Sequence, residues 1–204
     1  MLKAVIFDFD GVLADNTSVI IEIFQETARR TGLRIPAGKE VIAALGLIEK
    51  EMFEKLFGNY EKYQQILTDV WMEKQKEAKL MPETKKVLQS LKTKKAIVTS
   101  APDEFVRDSL GSFVTYFDAI ITQESTEKHK PYPEPLLLAC KKLKIKPAEA
   151  VYIGDRIIDF ETARNAGMDF IGMLSGGTSK GEFKKAGVKK IISSLSELLN
   201  IVGP

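Results

Sequence analysis

Residues 4–13 read AVIFDFDGVL, and this stretch decides the fold. Its first four residues are apolar, and Asp8, Asp10 and Gly11 follow directly. A short apolar run without strict alternation is typical of a strand that is buried on both faces of a parallel sheet. The stretch therefore predicts a buried strand that ends in a loop with two carboxylates.

Similar apolar runs recur along the chain, and helical patterns lie between them. The predicted strands are residues 96–98, 119–121, 151–153, 170–173 and, as a short edge strand, 191–192. The predicted helices are residues 83–92, 103–112, 135–143 and 159–166. Strands that alternate with helices predict an α/β fold, here a Rossmann-like, doubly wound parallel sheet covered on both faces.

Residues 15–80 interrupt this alternation. The segment has no strand pattern, its apolar residues recur at helical spacing, and Pro82 marks the return to the core. We predict a small α-helical cap of residues 15–80, inserted into a core of residues 1–14 and 81–204. The aromatic residues Phe53, Phe57 and Trp71 are predicted to fill the interior of this cap.

The composition limits the possible partners and sites. Lys and Arg number 30 and Asp and Glu 28, so the net charge of +2 indicates neither a nucleic-acid nor a membrane partner. No apolar run approaches the roughly 20 residues that span a bilayer, and no signal peptide precedes the first strand. The single cysteine, Cys140, allows no internal disulfide, so we expect a reducing, cytoplasmic location with Cys140 in the core.

The chain also has only one histidine, His129. Zinc sites built on several His or Cys ligands are therefore excluded, and any catalytic triad would have to use His129. The acid–base work of an enzyme with this sequence falls to carboxylates or lysine.

Polar side chains follow the predicted strands, and the carboxyl ends of parallel strands meet at one edge of a sheet. These side chains are Asp8, Asp10, Thr99, Ser100, Asp155, Asp159 and, in the loop after the third strand, Lys130. Carboxylates that meet at one place repel each other unless a cation lies among them, and oxygen ligands favour Mg²⁺. The lysine and the hydroxyl groups suit phosphate oxygens. Asp8 could then attack phosphorus, and Asp10 could act as acid and base if its pKa lies above the usual value of about 3.9.

These residues resemble the four motifs of the haloacid dehalogenase-like hydrolases. Residues 8–13, DFDGVL, resemble the first motif, and Thr99 resembles the second. Lys130, in KPYPEP, resembles the third motif, and residues 154–159, GDRIID, resemble the fourth. All four occur in the family's order, and the helical insert is similar to the cap of the phosphoglycolate phosphatase and β-phosphoglucomutase branch.

The resemblance implies a role for each residue. Asp8 would be the nucleophile and a metal ligand, and Asp10 the acid–base, with its backbone carbonyl on the metal. Asp155 would complete the protein ligands of Mg²⁺, and Asp159 would support the metal's waters or Lys130. Thr99, Lys130 and backbone amides near Ser100 would hold the phosphate. The cap would close over the substrate and exclude water.

The sequence departs from this branch in its cap. Asp15 is followed by Asn16 where the branch commonly has Ser or Thr, and position 20 is Ile where the mutases carry His. The cap loop with Glu49 and Lys50 is expected either to contact the far end of the substrate or to form surface salt bridges. This loop lacks the arginine of the sugar-phosphate mutases, so mutase activity is not expected.

The sequence thus predicts a Mg²⁺-dependent phosphatase that hydrolyses a small phosphorylated metabolite, such as phosphoglycolate, through an aspartyl-phosphate. A pyrophosphatase or a nucleotide phosphatase on the same core is the alternative. A haloacid dehalogenase would lack the second aspartate, so Asp10 argues against it. A phosphoacceptor signalling domain gathers similar residues, but it carries no helical insert after the first strand.

Overall fold

The computed structural model describes residues 2–203 and contains one six-stranded sheet in which every strand pair is parallel. The strand order is β3-β2-β1-β4-β5-β6, so the chain runs outward from β1 in both directions. This is the predicted doubly wound fold. The strands are β1 (Ala4–Phe7), β2 (Lys94–Val98), β3 (Ala119–Ile121), β4 (Ala150–Gly154), β5 (Asp169–Met173) and β6 (Lys190–Ile192).

Ten α-helices accompany the sheet within these residues. They are α1 (Thr17–Thr31), α2 (Gly38–Ile42), α3 (Glu49–Leu56), α4 (Tyr60–Lys74), α5 (Thr84–Ser90), α6 (Asp103–Leu110), α7 (Glu134–Leu143), α8 (Ile157–Ala166), α9 (Lys180–Ala186) and α10 (Leu198–Val202). None of the helices in residues 2–203 has the length and apolar character needed to cross a membrane.

The side chains of the central strands alternate between two apolar layers. Val5 and Phe7 of β1 belong to one buried cluster, and Ala4 and Ile6 belong to the other. This alternation follows from the two-residue period of a strand. Cys140 lies buried in the second cluster, as predicted, and burial raises the pKa of its thiol to about 11.

All four predicted helices differ from the structure by one or two residues at an end: α5 is Thr84–Ser90 rather than 83–92, α7 begins at Glu134 rather than 135, and α8 and α6 differ for identifiable reasons. Helix α8 begins at Ile157, two residues before the predicted start, because a carboxylate oxygen of Asp159 accepts a hydrogen bond from the Arg156 amide at 3.0 Å. Helix α6 ends at Leu110, and the predicted continuation to residue 112 is a 3₁₀ helix, Gly111–Tyr116. Gly111 adopts a positive φ of 50°, which an α-helix does not accommodate.

Helices α1–α4 lie between β1 and β2, where the helical insert was predicted. The chain enters and leaves this insert through two antiparallel linkers that are paired at Ala14 and Leu80. Asp15 N donates to Lys79 O at 2.9 Å, and Met81 N donates to Leu13 O at 2.8 Å. The division into a cap of residues 15–80 and a core of the remaining residues stays a prediction. Met1 and Pro204, the outer ends of that predicted core, lie outside the described residues.

The interior of the insert differs from the prediction at one aromatic residue. The rings of Phe53 and Phe57 pack at 4.8 Å between centroids, inside the insert. Trp71 instead packs edge-on against Phe105 of helix α6 at 4.8 Å. Trp71 therefore lies between the insert and the core rather than in the middle of the insert.

Candidate active site

A cavity of about 570 Å³, counted with the solvent at its mouth, lies at the carboxyl ends of the strands, beneath the helical insert. The strand order reverses between β1 and β4, which is where an open parallel sheet forms a binding crevice. Most of the predicted site residues line this cavity: Asp8, Asp10, Thr99, Ser100, Lys130, Asp155 and Glu49.

A buried ion-pair network lies at the floor of the cavity. Lys130 Nζ lies 3.0 Å from Asp8 Oδ1 and 2.6 Å from Asp159 Oδ1, and the three residues are at most 5% exposed. Burial disfavours the charged ammonium, but the carboxylates of Asp159 and Asp8 outweigh it and raise the pKa of Lys130. The lysine therefore stays charged between its two partners.

Asp8 follows β1, and only one of its carboxylate oxygens is engaged. Oδ1 accepts a hydrogen bond from the Phe9 amide at 2.8 Å as well as the contact from Lys130. Oδ2 makes no hydrogen bond or ion pair within residues 2–203. Burial raises the pKa of Asp8 to about 7, although Lys130 opposes the rise. The carboxylate is thus oriented through one oxygen and unoccupied at the other.

Asp159 is the second carboxylate partner of Lys130. Its Oδ1 accepts hydrogen bonds from Lys130 at 2.6 Å and from the Tyr152 hydroxyl at 3.2 Å, and its Oδ2 accepts from the Arg156 amide at 3.0 Å. Of the two predicted roles of Asp159, this geometry favours support of Lys130. Tyr152 could not be identified as a site residue from its position in the sequence, because a tyrosine inside a buried strand is most simply a core residue.

Asp10 contacts the linkers of the insert through Asn16. Asn16 Nδ2 donates to Asp10 Oδ1 at 2.9 Å, and Asn16 Oδ1 accepts from the Lys79 amide at 3.2 Å. Burial raises the pKa of Asp10 to about 6, and the hydrogen bond from Asn16 limits the rise. In the sequence, Asn16 stands out only as a departure from the family pattern. In the structure, its side-chain amide connects Asp10 to the linkers of the insert.

Asp155, at the end of β4, has the features of a metal ligand. Its Oδ1 is buried and has no hydrogen-bond partner among the described residues. Burial, together with the charges of Asp159 and Asp8, raises its pKa well above the usual value. Carboxylate oxygens of Asp8, Asp155 and Asp159 lie within 4.8 Å of one another. Because both oxygens of Asp159 are engaged, Asp8 and Asp155 are the two that can face a cation.

The side chain of Asp155 packs directly against two glycines, where a larger residue would clash with it. A Cβ atom at Gly11 would lie 2.6 Å from Asp155 Oδ2, and one at Gly176 would lie 1.4 Å from it. The unpartnered oxygen and the oxygen-only donor set fit Mg²⁺, which is bound by a few carboxylates and completes its shell with water and phosphate.

Thr99 and Ser100 follow β2 and line the cavity. Thr99 Oγ1 accepts a hydrogen bond from the Ala101 amide at 3.2 Å. Ser100 Oγ donates to the backbone carbonyl of Gly46, in the insert, at 2.7 Å. The hydroxyl of Ser100 therefore contacts the insert, and its predicted contribution to phosphate binding rests on its backbone amide.

Residues 5–173 match the family model of haloacid dehalogenase-like hydrolases. The chain belongs to this family. A curated relative from Clostridium perfringens, named "Putative pyrophosphatase PpaX", is 32% identical over 183 residues, which cover 85% of this chain and 84% of the relative. "Pyrophosphatase PpaX" from Bacillus pumilus is 27% identical and covers 99% and 97%.

Solved structures agree with the family assignment. A haloacid dehalogenase-like hydrolase from Bacteroides fragilis is 31% identical, with a TM-score of 0.91 over 97% of this chain and 100% of that one. The structure of a "predicted phosphoglycolate phosphatase" from Haemophilus somnus has a TM-score of 0.90 at 19% identity, over 98% of this chain and 97% of that one, which shows a shared fold. The family and fold predicted from the four motifs are confirmed.

In this hydrolase the core contacts backbone groups of the insert. Arg156 Nη1 donates to Ile42 O at 2.9 Å, next to the Ser100 contact with Gly46 O, and the Glu49 amide donates to Gln123 Oε1 at 3.2 Å. Arg156 also contacts Asp155 Oδ2 at 3.1 Å. The sequence contained Arg156 within the fourth motif, but spacing alone did not indicate that it reaches the insert.

The two predicted specificity residues of the hydrolase lie on different sides of helix α3. Glu49 lines the cavity, and its Oε1 accepts a hydrogen bond from the Tyr60 hydroxyl at 2.9 Å. Lys50 is exposed and pairs with Glu61 at 2.7 Å, outside the residues that line the cavity. Of the two predicted roles, Lys50 has that of a surface salt bridge, because successive side chains of a helix point about 100° apart.

Proposed function

We propose that this hydrolase is a Mg²⁺-dependent phosphatase that cleaves a small phosphomonoester through an aspartyl-phosphate on Asp8. The observation that carries the proposal is the state of the Asp8 carboxylate. One oxygen is fixed by Lys130 and the Phe9 amide, the other makes no hydrogen bond or ion pair among the described residues, and Asp8 lines the cavity. A carboxylate held in this way is oriented for nucleophilic attack.

The reaction follows from the positions of Asp8 and Asp10. Asp8 Oδ2 attacks phosphorus, the bond to the leaving oxygen breaks, and Asp10 transfers its proton to that oxygen. Asp10 then takes a proton from a water molecule, which attacks the phosphorus of the aspartyl-phosphate and restores Asp8. A pKa of about 6 suits this double role, because both protonation states of Asp10 are accessible near neutral pH.

Lys130 and Thr99 are assigned to the transferring phosphoryl group, together with backbone amides near Ser100. Lys130 supplies positive charge where negative charge builds up on the phosphate oxygens. Asp8, Asp155 and the backbone carbonyl of Asp10 would hold Mg²⁺, which when bound offsets the charge of the carboxylates and of the phosphate.

Pyrophosphate hydrolysis is a second candidate, because relatives that are 32% and 27% identical carry the name pyrophosphatase. The same nucleophile and acid–base would serve both reactions. Mutase activity is less well supported, because Ile20 lines the cavity where the mutases have a histidine. Dehalogenation does not account for the second aspartate, Asp10.

The test is release of phosphate from a panel of small phosphoesters, with and without Mg²⁺. We expect turnover that requires Mg²⁺ and that falls about 10⁴-fold or more in Asp8→Asn, because this change removes the nucleophile. Asp169→Asn is the matched control, since Asp169 is an exposed residue at the start of β5. Full activity of Asp8→Asn, or of the wild-type protein in excess chelator, would contradict the proposal.

A further inference from the structure

One wall of the cavity also borders a second cavity. Glu49, Trp71 and Pro102 line both the catalytic cavity and this outer cavity of about 490 Å³. The outer cavity lies between helices α4 and α6 and is also lined by Glu104 and Gln123. A leaving group that extends from the catalytic cavity toward the outer cavity would therefore meet the wall formed by Glu49, Trp71 and Pro102.

The charges around this wall are negative. Glu49 and Glu104 line the outer cavity, and Glu124 is close enough to contribute to the raised pKa of Glu49. No lysine or arginine of the described residues lines the outer cavity. In the catalytic cavity, the basic lining residues are Lys130 and Arg156, and each is paired with an aspartate.

Trp71 adds an unpaired hydrogen-bond donor to the same wall. Its side chain is 8% exposed, and its indole Nε1 has no hydrogen-bond partner in the part of the chain that the structure describes. A buried N–H without a partner costs about 1–3 kcal/mol, so a ligand oxygen that reached the indole N–H of Trp71 would offset this cost. Glu49 is fixed through Oε1 by Tyr60, and its other oxygen is available as an acceptor.

We propose that this wall selects phosphomonoesters of a small polyol or amino alcohol, whose leaving group carries hydroxyl or amino groups and no negative charge. This inference rests on the proposed phosphatase function. The Glu49 carboxylate accepts a hydrogen bond from a hydroxyl or ammonium group of the leaving group, and the Trp71 indole donates to one of its oxygens. A carboxylate or a second phosphate at this position would face Glu49 without a counter-charge, which is unfavourable in a partly dehydrated cavity.

The inference predicts that phosphoglycolate and pyrophosphate are poor substrates of this hydrolase. Phosphoglycolate would place its carboxylate, and pyrophosphate its second phosphate, toward the acidic wall. The pyrophosphatases named among the relatives act on such a substrate by name. The charge of the preferred leaving group therefore distinguishes our proposal from the assumption that this hydrolase is itself a pyrophosphatase.

The experiment compares three substrates that differ mainly in the charge at the end of a two-carbon leaving group. These are phosphoglycolate, hydroxyethyl phosphate and phosphoethanolamine, and pyrophosphate is measured beside them. We expect kcat/KM for phosphoglycolate to be about tenfold or more below that for hydroxyethyl phosphate, and phosphoethanolamine to equal or exceed the latter. A higher kcat/KM for phosphoglycolate or pyrophosphate would overturn the inference.

Two variants test the named residues. In Glu49→Gln, the ratio of kcat/KM for phosphoglycolate to that for hydroxyethyl phosphate should rise about tenfold, since the repelling charge is gone. Trp71→Phe keeps an aromatic ring but removes the N–H, and should lower kcat/KM for hydroxyethyl phosphate about three- to tenfold. Glu54→Gln is the control, because Glu54 is exposed on the same helix as Glu49 and lines neither cavity. An unchanged substrate ratio in Glu49→Gln would contradict the role of Glu49.

A general substrate, para-nitrophenyl phosphate, keeps the two proposals apart. Mg²⁺-dependent turnover of this ester that is lost in Asp8→Asn supports the phosphatase, whatever the order of the three substrates. If that turnover is present and the anionic substrates are preferred, the selection by Glu49 and Trp71 is wrong and the phosphatase stands. If no ester is hydrolysed, the phosphatase proposal is wrong and the selection proposal fails with it.

Discussion

The two walls of the cavity differ in how many charged groups they contain and in how those groups are paired. On the core side, Lys130 lies between Asp8 and Asp159, and both oxygens of Asp159 are hydrogen-bonded. On the side of the insert, the wall is largely apolar, and the indole N–H of Trp71 has no partner within residues 2–203. Among the described residues, the core wall pairs its charges but leaves Asp8 Oδ2 and Asp155 Oδ1 without partners, whereas the opposite wall has few charged groups and one unpaired N–H. We infer that the chemistry resides in the core and the choice of substrate in the insert.

The largest effect on this contrast is expected from Lys130→Met, which removes the central charge of the core wall. The change leaves Asp8 and Asp159 buried without their cation, and breaking a buried pair in this way costs about 3–5 kcal/mol. We expect a loss of that size in the free energy of unfolding, measured by urea denaturation without Mg²⁺, together with loss of turnover. Lys128→Met, at an exposed neighbouring position, should stay within about 0.5 kcal/mol. Equal losses of unfolding free energy in the two variants would show that the ion pairs of Lys130 with Asp8 and Asp159 do not stabilise the core wall.

A smaller effect is expected from Gly154→Ala, which crowds the same wall without removing a charge. The new Cβ would lie 2.4 Å from Cβ of Asp159, so Asp159 or the strand must shift. Such overpacking costs about 1–3 kcal/mol in the free energy of unfolding, and it should also loosen the hold of Asp159 on Lys130. Gly181→Ala is the control, because nothing lies closer than 3.9 Å to its new Cβ. A Gly154→Ala protein as stable and active as the control would indicate that Asp159 tolerates displacement.

The smallest effect is expected from Asn16→Ala, at the junction of the two regions. It removes the hydrogen bonds to Asp10 and to the Lys79 amide, at a cost of about 1–2 kcal/mol in stability. The lost bond favours the charged form of Asp10, so its removal raises the pKa of that carboxyl. Substrate cleavage requires protonated Asp10, and the pH above which single-turnover cleavage slows should therefore move upward.

The control for this variant is Asn165→Ala, which removes an exposed amide that donates to Pro131 O. Its pH profile should match that of the wild-type protein. If the pH profile of Asn16→Ala also matches that of the wild-type protein, the hydrogen bond from Asn16 does not influence the pKa of Asp10.

The sequence predicted the core more completely than the insert, for a physical reason. In a parallel sheet the carboxyl ends of all strands lie at one edge, so the position of a residue after its strand already places it in the site. This argument located Asp8, Thr99, Lys130 and Asp155, and the structure brings all four to one cavity. The argument could not choose between the two roles of Asp159, because that choice depends on which atom lies within hydrogen-bonding distance.

No comparable rule applies to the helical insert. Periodicity indicated that Trp71 is buried, but it did not say against what, and the residue packs on Phe105 of the core. Adjacent positions in a loop also suggested a common role for Glu49 and Lys50, which the turn of helix α3 directs to different sides. Such features depend on the packing of one helix against another part of the chain, which a single sequence does not encode locally.

The contacts between the core and the insert have a consequence for how such an enzyme changes its substrate over evolutionary time. Ser100 and Arg156 of the core donate to the main-chain carbonyls of Gly46 and Ile42, which every residue type possesses. The contact at Ile42 therefore does not depend on the side chain at that position. Position 46 favours glycine, because its φ is +98° and a Cβ atom there would lie 2.8 Å from Ile158 Cγ2. If the insert selects the substrate as we propose, substitutions elsewhere on its inner face redirect specificity while these contacts persist, which makes this wall the natural starting point for directed evolution toward new phosphoesters.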